Sequence, residues 1–303
     1  MRASRRGSPS GAALAAGRGG PRVGEDEPVL GEQRLVNLAD RVVEVSGVVG
    51  VVLGGSRARG EHTEDSDVDL GLYYRRPLDV DALSALAREL AGPGAQVTEP
   101  GAWGPWVDGG AWLRIDGTAV DWIYRDVDRV RSCWAAAQRG EFTFHAQVGH
   151  PLGVPDFAYA GELALARLLA DPTGELAALR QQMATYPVTL GRALVAGLWE
   201  AGFTLDIARK AVSRADTAYV AGCVFRVVLL CAHALHEWAG RWLVNEKGAI
   251  ASAGRLPAAP PGFTVRAHGV LAHLGDQPDQ LQAAITAAQA LIDDVRATCK
   301  PPH

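Results

Sequence analysis

Hydrophobic residues in the first part of the chain form short runs separated by polar turns. The continuous β-branched run VVGVVLG (48–54) is typical of a strand buried on both faces. The pattern predicts a second strand over DVDLGLYY (67–74), a helix over about 80–90 and a third strand over 95–100. The first half of the chain is therefore predicted to alternate short strands and helices.

The same alternation continues toward residue 150. Residues 111–125 predict a hairpin, because Asp116-Gly117 supplies the positive φ angles that a two-residue turn requires. A helix over about 128–138 and a strand within 142–149 are predicted to complete this half.

From Tyr159 onward the pattern becomes Ala/Leu-rich with helical periodicity. The predicted helices cover 159–171, 173–186, 188–213, 216–244 and 278–297. The proline-containing stretch 248–276 is predicted to be a loop, and no further strand is predicted. The expected fold class is therefore α+β, with strands and helices in the first half followed by an all-helical bundle.

The length and composition of the chain are typical of a protein with two globular domains. A chain of 303 residues with 48% hydrophobic and 21% charged residues suits two globular domains. We predict a disordered tail at 1–30, a domain of strands and helices at 31–150 and a helical domain at 151–303. Residues 1–22 hold five Arg and no acid, so without them the net charge falls from −4 to −9. An acidic body argues against a nucleic-acid partner and suits a cationic one.

Cysteine spacing and helix composition indicate the compartment. The four cysteines lack CxxC spacing and are expected to be reduced, as in the cytoplasm. The longest apolar helix candidate, 218–244, contains Arg226, Glu237 and Arg241, which excludes a membrane span at that position. We therefore expect a soluble, cytoplasmic protein with no membrane partner.

Two aspartates follow a glycine turn at the start of the second strand. Residues two apart on a strand point to the same face, so Asp67 and Asp69 share one face while Leu70 enters the core. Adjacent half-buried carboxylates need a cation, and Mg²⁺ favours carboxylate oxygens together with substrate phosphates. The alternative is a pair of solvated aspartates at a strand start.

A third acid lies in the middle of the predicted hairpin. Asp121 stands between Val120 and Trp122, where an unpartnered carboxylate is costly. With Asp67 and Asp69 it provides the carboxylates that a two-metal site for phosphoryl transfer requires.

The turn Gly54-Gly55-Ser56 is suited to phosphate. Glycines let backbone N–H groups approach a phosphate closely, and Ser56 adds a hydroxyl at the following helix N-terminus. The turn is not a Walker A loop, because Glu61-His62 replaces the required Lys-Ser/Thr.

These motifs resemble the signature of the nucleotidyltransferase (polymerase β-like) superfamily: Gly54-Gly55-Ser56, Arg59-Gly60, and Ser66-Asp67-Val68-Asp69 with a later third Asp. The resemblance implies a small mixed sheet, two Mg²⁺ ions and transfer of an NMP from an NTP, AMP from ATP in the first instance. The helical half is similar in layout to aminoglycoside- and lincosamide-type adenylyltransferases. The resemblance therefore implies that 31–150 is the catalytic domain and that 151–303 is the acceptor-binding domain.

The resemblance also implies roles for individual residues. Asp67 and Asp69 bridge the metals, while Asp121 is the third ligand and orients or deprotonates the attacking hydroxyl. Gly54, Gly55 and Ser56 bind the β/γ-phosphates, and Arg59 reaches toward them.

Several further candidates each have a structural alternative. Lys247 is one of only three lysines and suits phosphate, or else it caps a helix C-terminus before Gly248. Glu162 is a candidate general base, or a first-turn glutamate favoured by the helix dipole. We expect Lys210 to be exposed at the surface.

For the remaining aromatic candidates we favour structural roles over ligand contacts: His145, His150, Trp103, Trp106, Trp112 and Trp122.

Three functions fit these features. The first is adenylylation of a hydroxyl on a small molecule, such as an aminoglycoside-like antibiotic. The second is adenylylation of a protein side chain, and the third is a nucleotide-binding module without turnover. An intact set of three acids argues against the third.

Overall fold

The computed structural model describes residues 30–63 and 66–300. Its strands are β1 (Val48–Leu53), β2 (Val68–Tyr74), β3 (Gly110–Ile115), β4 (Thr118–Asp126), β5 (Phe144–Gln147), β6 (His150–Pro155) and β7 (Arg167–Ala170). The helices are α1 (Glu32–Val43), α2 (Gly55–Arg59), α3 (Val80–Ala91), α4 (Val127–Gln138), α5 (Ala158–Leu165), α6 (Glu175–Met183), α7 (Val188–Ala196), α8 (Trp199–Val212), α9 (Thr217–Trp238), α10 (Ala249–Gly254), α11 (Phe263–Ala272) and α12 (Pro278–Thr298).

Five strands form one mixed sheet in the order β3-β4-β2-β1-β7. Strands β2 and β4 run parallel, and the other neighbours pair antiparallel. The predicted β3–β4 hairpin is confirmed, with φ of 49° at Asp116 and 80° at Gly117. The α+β fold class predicted from the sequence is confirmed.

The two faces of this sheet bury different residues. Leu70, Leu72 and Trp122 point to one face, where they pack with residues of α1 and α3 in a single hydrophobic cluster. Val52 and Tyr73 point to the other face and pack with residues of α4, α5 and α6. The side chain of Asp69 lies on this second face, because it alternates with Leu70 along β2.

Helices α8 to α12 surround a third cluster centred on α9. Among the described residues, α9 is the one helix long and apolar enough to cross a membrane. Most of its apolar window is buried within the protein, and core helices of soluble proteins meet the same criterion. All four cysteines are buried and unpaired.

The largest departure from the sequence prediction is β7. The segment 159–171 was expected to be one helix, but α5 ends at Leu165 and β7 then pairs with β1. The prediction that no strand follows residue 159 is therefore wrong. Edge pairing outweighs helix propensity here, since a tertiary partner overrides a local preference.

Other elements differ locally. The stretch 95–100 is not a strand, and 248–276 contains α10 and α11 rather than only loop. The strand predicted within 142–149 is confirmed as β5, which pairs with β6 in a two-stranded hairpin. The helix predicted over 188–213 is divided into α7 and α8.

The predicted domain boundary near residue 150 stays a prediction, although β7 joins residues 167–170 to the sheet of the first half. The predicted tail lies outside the described residues except for Leu30, which is buried.

Candidate active site

The parallel pairing of β2 and β4 brings two acids side by side. Asp69 and Asp121 are direct register partners, and their flanking residues Val68 and Val120 are also paired. Both carboxylates therefore lie on the same face of the sheet, and both residues are partly buried. Asp67 lies one residue before β2 and is exposed.

The glycine turn after β1 closes over Asp69. The amide N of Gly54 donates to the carbonyl oxygen of Asp69 at 2.8 Å. Gly55 has a φ of +61°, and a Cβ at this position would lie 1.7 Å from Asp69 Oδ2. Only glycine allows the backbone to pass this close to the carboxylate. The turn then leads into α2, with Ser56 in its first turn as predicted.

The acids interact electrostatically across the face. Burial raises the pKa of Asp69, and the charges of Asp67 and Glu162 raise it further. Burial together with the charges of Asp69 and Asp67 raises the pKa of Asp121 to about 6. The positive charge of Lys247 lowers the pKa of both groups. Bringing these carboxylates together therefore costs free energy unless a cation is bound.

The carboxylates of Asp67, Asp69 and Asp121 are chemically suited to bind a divalent cation. All three are hard oxygen donors, which Mg²⁺ prefers. Among the described residues, no three His, Cys, Asp or Glu side chains converge into a ready-made metal site. Mg²⁺ is usually held by one or two carboxylates with waters and substrate phosphates, so Asp67, Asp69 and Asp121 suffice as protein ligands.

We expect Asp121→Asn to stabilise the chelator-treated protein at pH 8 by about 1–2 kcal/mol, a figure reduced from the full pKa shift because the site is partly solvated. The pKa of Asp121 is about 6 in the folded protein, whereas in the unfolded chain the carboxyl has its ordinary pKa of 3.8. Its contribution to the free energy of unfolding therefore falls as pH rises from about 4 to 6.

Urea titrations of both proteins at pH 4 and pH 8 in EDTA measure this effect. Asp121→Asn should have a higher free energy of unfolding than the wild type at pH 8 and the same free energy of unfolding at pH 4. Asp116→Asn in the hairpin turn is the control, since that exposed residue pairs with Arg34. An equal gain at both pH values would contradict the electrostatic explanation.

Glu162 lies near Asp69 but is already paired. Its carboxylate accepts hydrogen bonds from Arg125 Nε at 2.5 Å and Nη2 at 2.9 Å. The guanidinium is buried, and such bidentate pairs fix the orientation of both groups. Glu162 lies beyond the first turn of α5, so the alternative of a first-turn glutamate is wrong.

The predicted phosphate-binding cations also lie near the acids. Arg59 lowers the pKa of Asp69, and its Nε lies 2.9 Å from Glu61 Oε2 at an exposed position. Lys247 lies in the loop between α9 and α10 and is exposed. Since α9 ends at Trp238, the alternative of Lys247 as a C-terminal helix cap is wrong.

Sequence reasoning missed Arg57. Its guanidinium donates to the carbonyl oxygens of Ser66 at 2.6 Å and Asp67 at 3.2 Å. These bonds tie α2 to the segment that carries Asp67. Its position one residue after Ser56 offered no signal, because the partners are backbone atoms.

The aromatic candidates divide into core and exposed residues. Trp122 is fully buried in the sheet core, as predicted. Trp106 stacks on His145 with ring centroids 3.7 Å apart. Trp112 is 69% exposed and stacks on Trp103 with centroids 4.2 Å apart. Packing in the core therefore does not explain Trp112.

The two remaining polar candidates are His150 and Lys210. Nδ1 of His150 is 3.7 Å from Glu246 Oε2. Lys210 is exposed on α8, as predicted.

Comparison with known proteins identifies the first part of the chain. Residues 35–95 match the family model described as a nucleotidyltransferase domain. The match includes the glycine turn and the pair Asp67 and Asp69, and it ends before Asp121. The chain therefore carries a nucleotidyltransferase domain, whose general activity is nucleotidyl transfer.

Among solved structures, the chain is similar to a nucleotidyltransferase-like protein from Exiguobacterium sibiricum 255-15. The TM-score is 0.42 and the identity 11%, over 86% of this chain and 74% of that one. No curated protein matches the sequence.

Proposed function

We propose that this protein is a Mg²⁺-dependent nucleotidyltransferase that moves AMP from ATP to a hydroxyl of a small cationic molecule. The observation that carries the proposal is the direct pairing of Asp69 with Asp121, with the Gly54-Gly55 turn packed against Asp69. A phosphate-binding turn beside paired acids is the arrangement that phosphoryl transfer needs.

The acids would hold Mg²⁺ through the exposed Asp67 and the partly buried Asp69 and Asp121. Bound Mg²⁺ supplies charge stabilisation to the phosphates as a Lewis acid. The backbone of Gly55 and the hydroxyl of Ser56 would bind the β- and γ-phosphates. Arg59 and Lys247 add positive charge that acts on Asp69.

The acceptor hydroxyl requires orientation and loss of a proton. Asp121 lies on the face of the sheet beside Asp69, where it can accept a hydrogen bond from that hydroxyl. Glu162 is less suited to the role of base, because both of its oxygens already accept hydrogen bonds from Arg125. We infer that Glu162 is a positioning residue that fixes Arg125, which lies on the same face of β4 as Asp121.

The test is pyrophosphate release from each NTP with Mg²⁺ and a panel of acceptors. The panel contains aminoglycosides, lincosamides and candidate proteins, so that small-molecule and protein acceptors are compared directly. We expect release with ATP that depends on one small-molecule acceptor and disappears on addition of EDTA.

The double variant Asp67→Ala/Asp69→Ala is the negative control. Release that depends only on a protein acceptor would transfer the assignment to protein adenylylation. ATP binding without turnover for any acceptor would contradict a transferase and favour a binding module.

A further inference from the structure

The stacked indoles of Trp103 and Trp112 lie at the end of a row of paired residues that crosses strands β2, β4 and β3. Trp112 of β3 is the direct register partner of Asp121 of β4, and Asp121 is the partner of Asp69. Directly opposed residues share a face, with Cβ atoms about 4.5–5.5 Å apart. The row therefore runs from the turn at Gly54 through Asp69 and Asp121 to Trp112.

The loop that carries Trp103 is held by buried polar groups. Asp108, 3% exposed, accepts a hydrogen bond from Tyr74 Oη at 2.7 Å, and its carbonyl accepts from the amide of Trp103 at 3.2 Å. Gln147 Nε2 donates to the carbonyl oxygen of Trp103 at 2.6 Å. The half-buried Trp103 thus holds the exposed Trp112 against a fixed loop, and an exposed aromatic ring held in this way indicates a binding surface.

The sequence of residues along this row, from the Gly54 turn to Trp112, indicates which of the two substrates contacts the indoles. Phosphoryl transfer places the attacking and leaving oxygens roughly in line. The leaving pyrophosphate would lie at the Gly54 turn, so the acceptor hydroxyl approaches from the side of Asp121. Trp112 is the next position in that direction.

We propose that Trp103 and Trp112 form the acceptor platform, on which a saturated ring bearing protonated amines stacks while its hydroxyl faces Asp121. This inference rests on the proposed function. The faces of indole rings attract cations, and the nearby acids favour positive charge. A cavity of about 600 Å³ adjoins the same loop at Gly104 and Pro105, directly after Trp103 in the sequence; its other lining residues include Gln147, His150 and Arg226.

The test measures acceptor binding separately from turnover. Calorimetric titration with kanamycin and, separately, with ATP and Mg²⁺ is performed on the wild type, Trp112→Ala, Trp112→Phe and Trp199→Ala. Trp199 is the matched control, because it is 66% exposed on α8 and outside the site. We expect Trp112→Ala to weaken kanamycin binding about 10- to 30-fold. ATP affinity should stay within about twofold, and Trp112→Phe should recover part of the loss.

Any of the following outcomes would contradict the proposed acceptor platform. Unchanged kanamycin affinity in Trp112→Ala excludes acceptor stacking, and a loss confined to ATP assigns the indoles to the nucleotide. Absence of kanamycin binding by the wild type overturns the assigned acceptor class. Pyrophosphate release measured in parallel with the full acceptor panel shows whether the proposed transferase activity fails as well.

Discussion

Replacing Asp69 by Asn is expected to lower kcat/KM for nucleotidyl transfer by about 1,000-fold or more, because charge stabilisation through a bound metal contributes several kcal/mol. Asp69 is the central acid, since it pairs with Asp121 and lies under the Gly55 turn. Asn has the same shape but lacks the charge. The measurement is pyrophosphate release under saturating Mg²⁺.

The variant should fold at least as well as the wild type in EDTA, because it no longer places a charge beside Asp67 and Asp121. Asp79→Asn is the control, since Asp79 caps α3 through the amide of Ala82 and Asn is an equally good cap. Retention of more than a tenth of the activity by Asp69→Asn would remove Asp69 from the metal site.

Replacing Gly55 by Ala is expected to reduce transfer by about 100-fold, the effect of misplacing a reacting group by about 1 Å. The new Cβ would overlap Asp69 Oδ2, so either the turn or the carboxylate must move. The positive φ adds backbone strain of about 1 kcal/mol. Kinetic assays and thermal unfolding measure the two effects separately.

The variant Gly60→Ala separates the effect of backbone strain at positive φ from the effect of a Cβ that collides with Asp69. Gly60 ends the same helix with a φ of +69°, but a Cβ there meets no atom within 4 Å. It should lose similar stability and keep activity within about threefold. Equal losses of activity in both variants would show that strain in α2, rather than contact with Asp69, explains the requirement for glycine.

The centre of the site could be predicted from the sequence because its signals are local. The spacing of Asp67 and Asp69 fixes their common face, and strand phase identifies Asp121 as a polar residue without a structural partner. The pair Asp116-Gly117 determines the hairpin and so the register that places Asp121. Each inference needs only a few neighbouring residues.

Features that depend on distant partners could not be predicted. The pairing of Glu162 with Arg125 joins residues 37 positions apart, and it changes the interpretation of Glu162 from base to positioning residue. The position of Trp112 beside Asp121 follows from register, whereas its stacking on Trp103 depends on an irregular loop. Helices α10 and α11 were missed because nearby prolines indicate a loop, although helices can begin or end beside them.

The pairing of β7 with β1 determines where the catalytic sheet is complete. A fragment that ends at residue 150 lacks Arg167–Ala170, so β1 would present unpaired backbone groups along its outer side. Open edges of this kind recruit strands from other molecules. A shortened catalytic domain would therefore tend to aggregate, whereas one extended past Ala170 would retain its own edge protection.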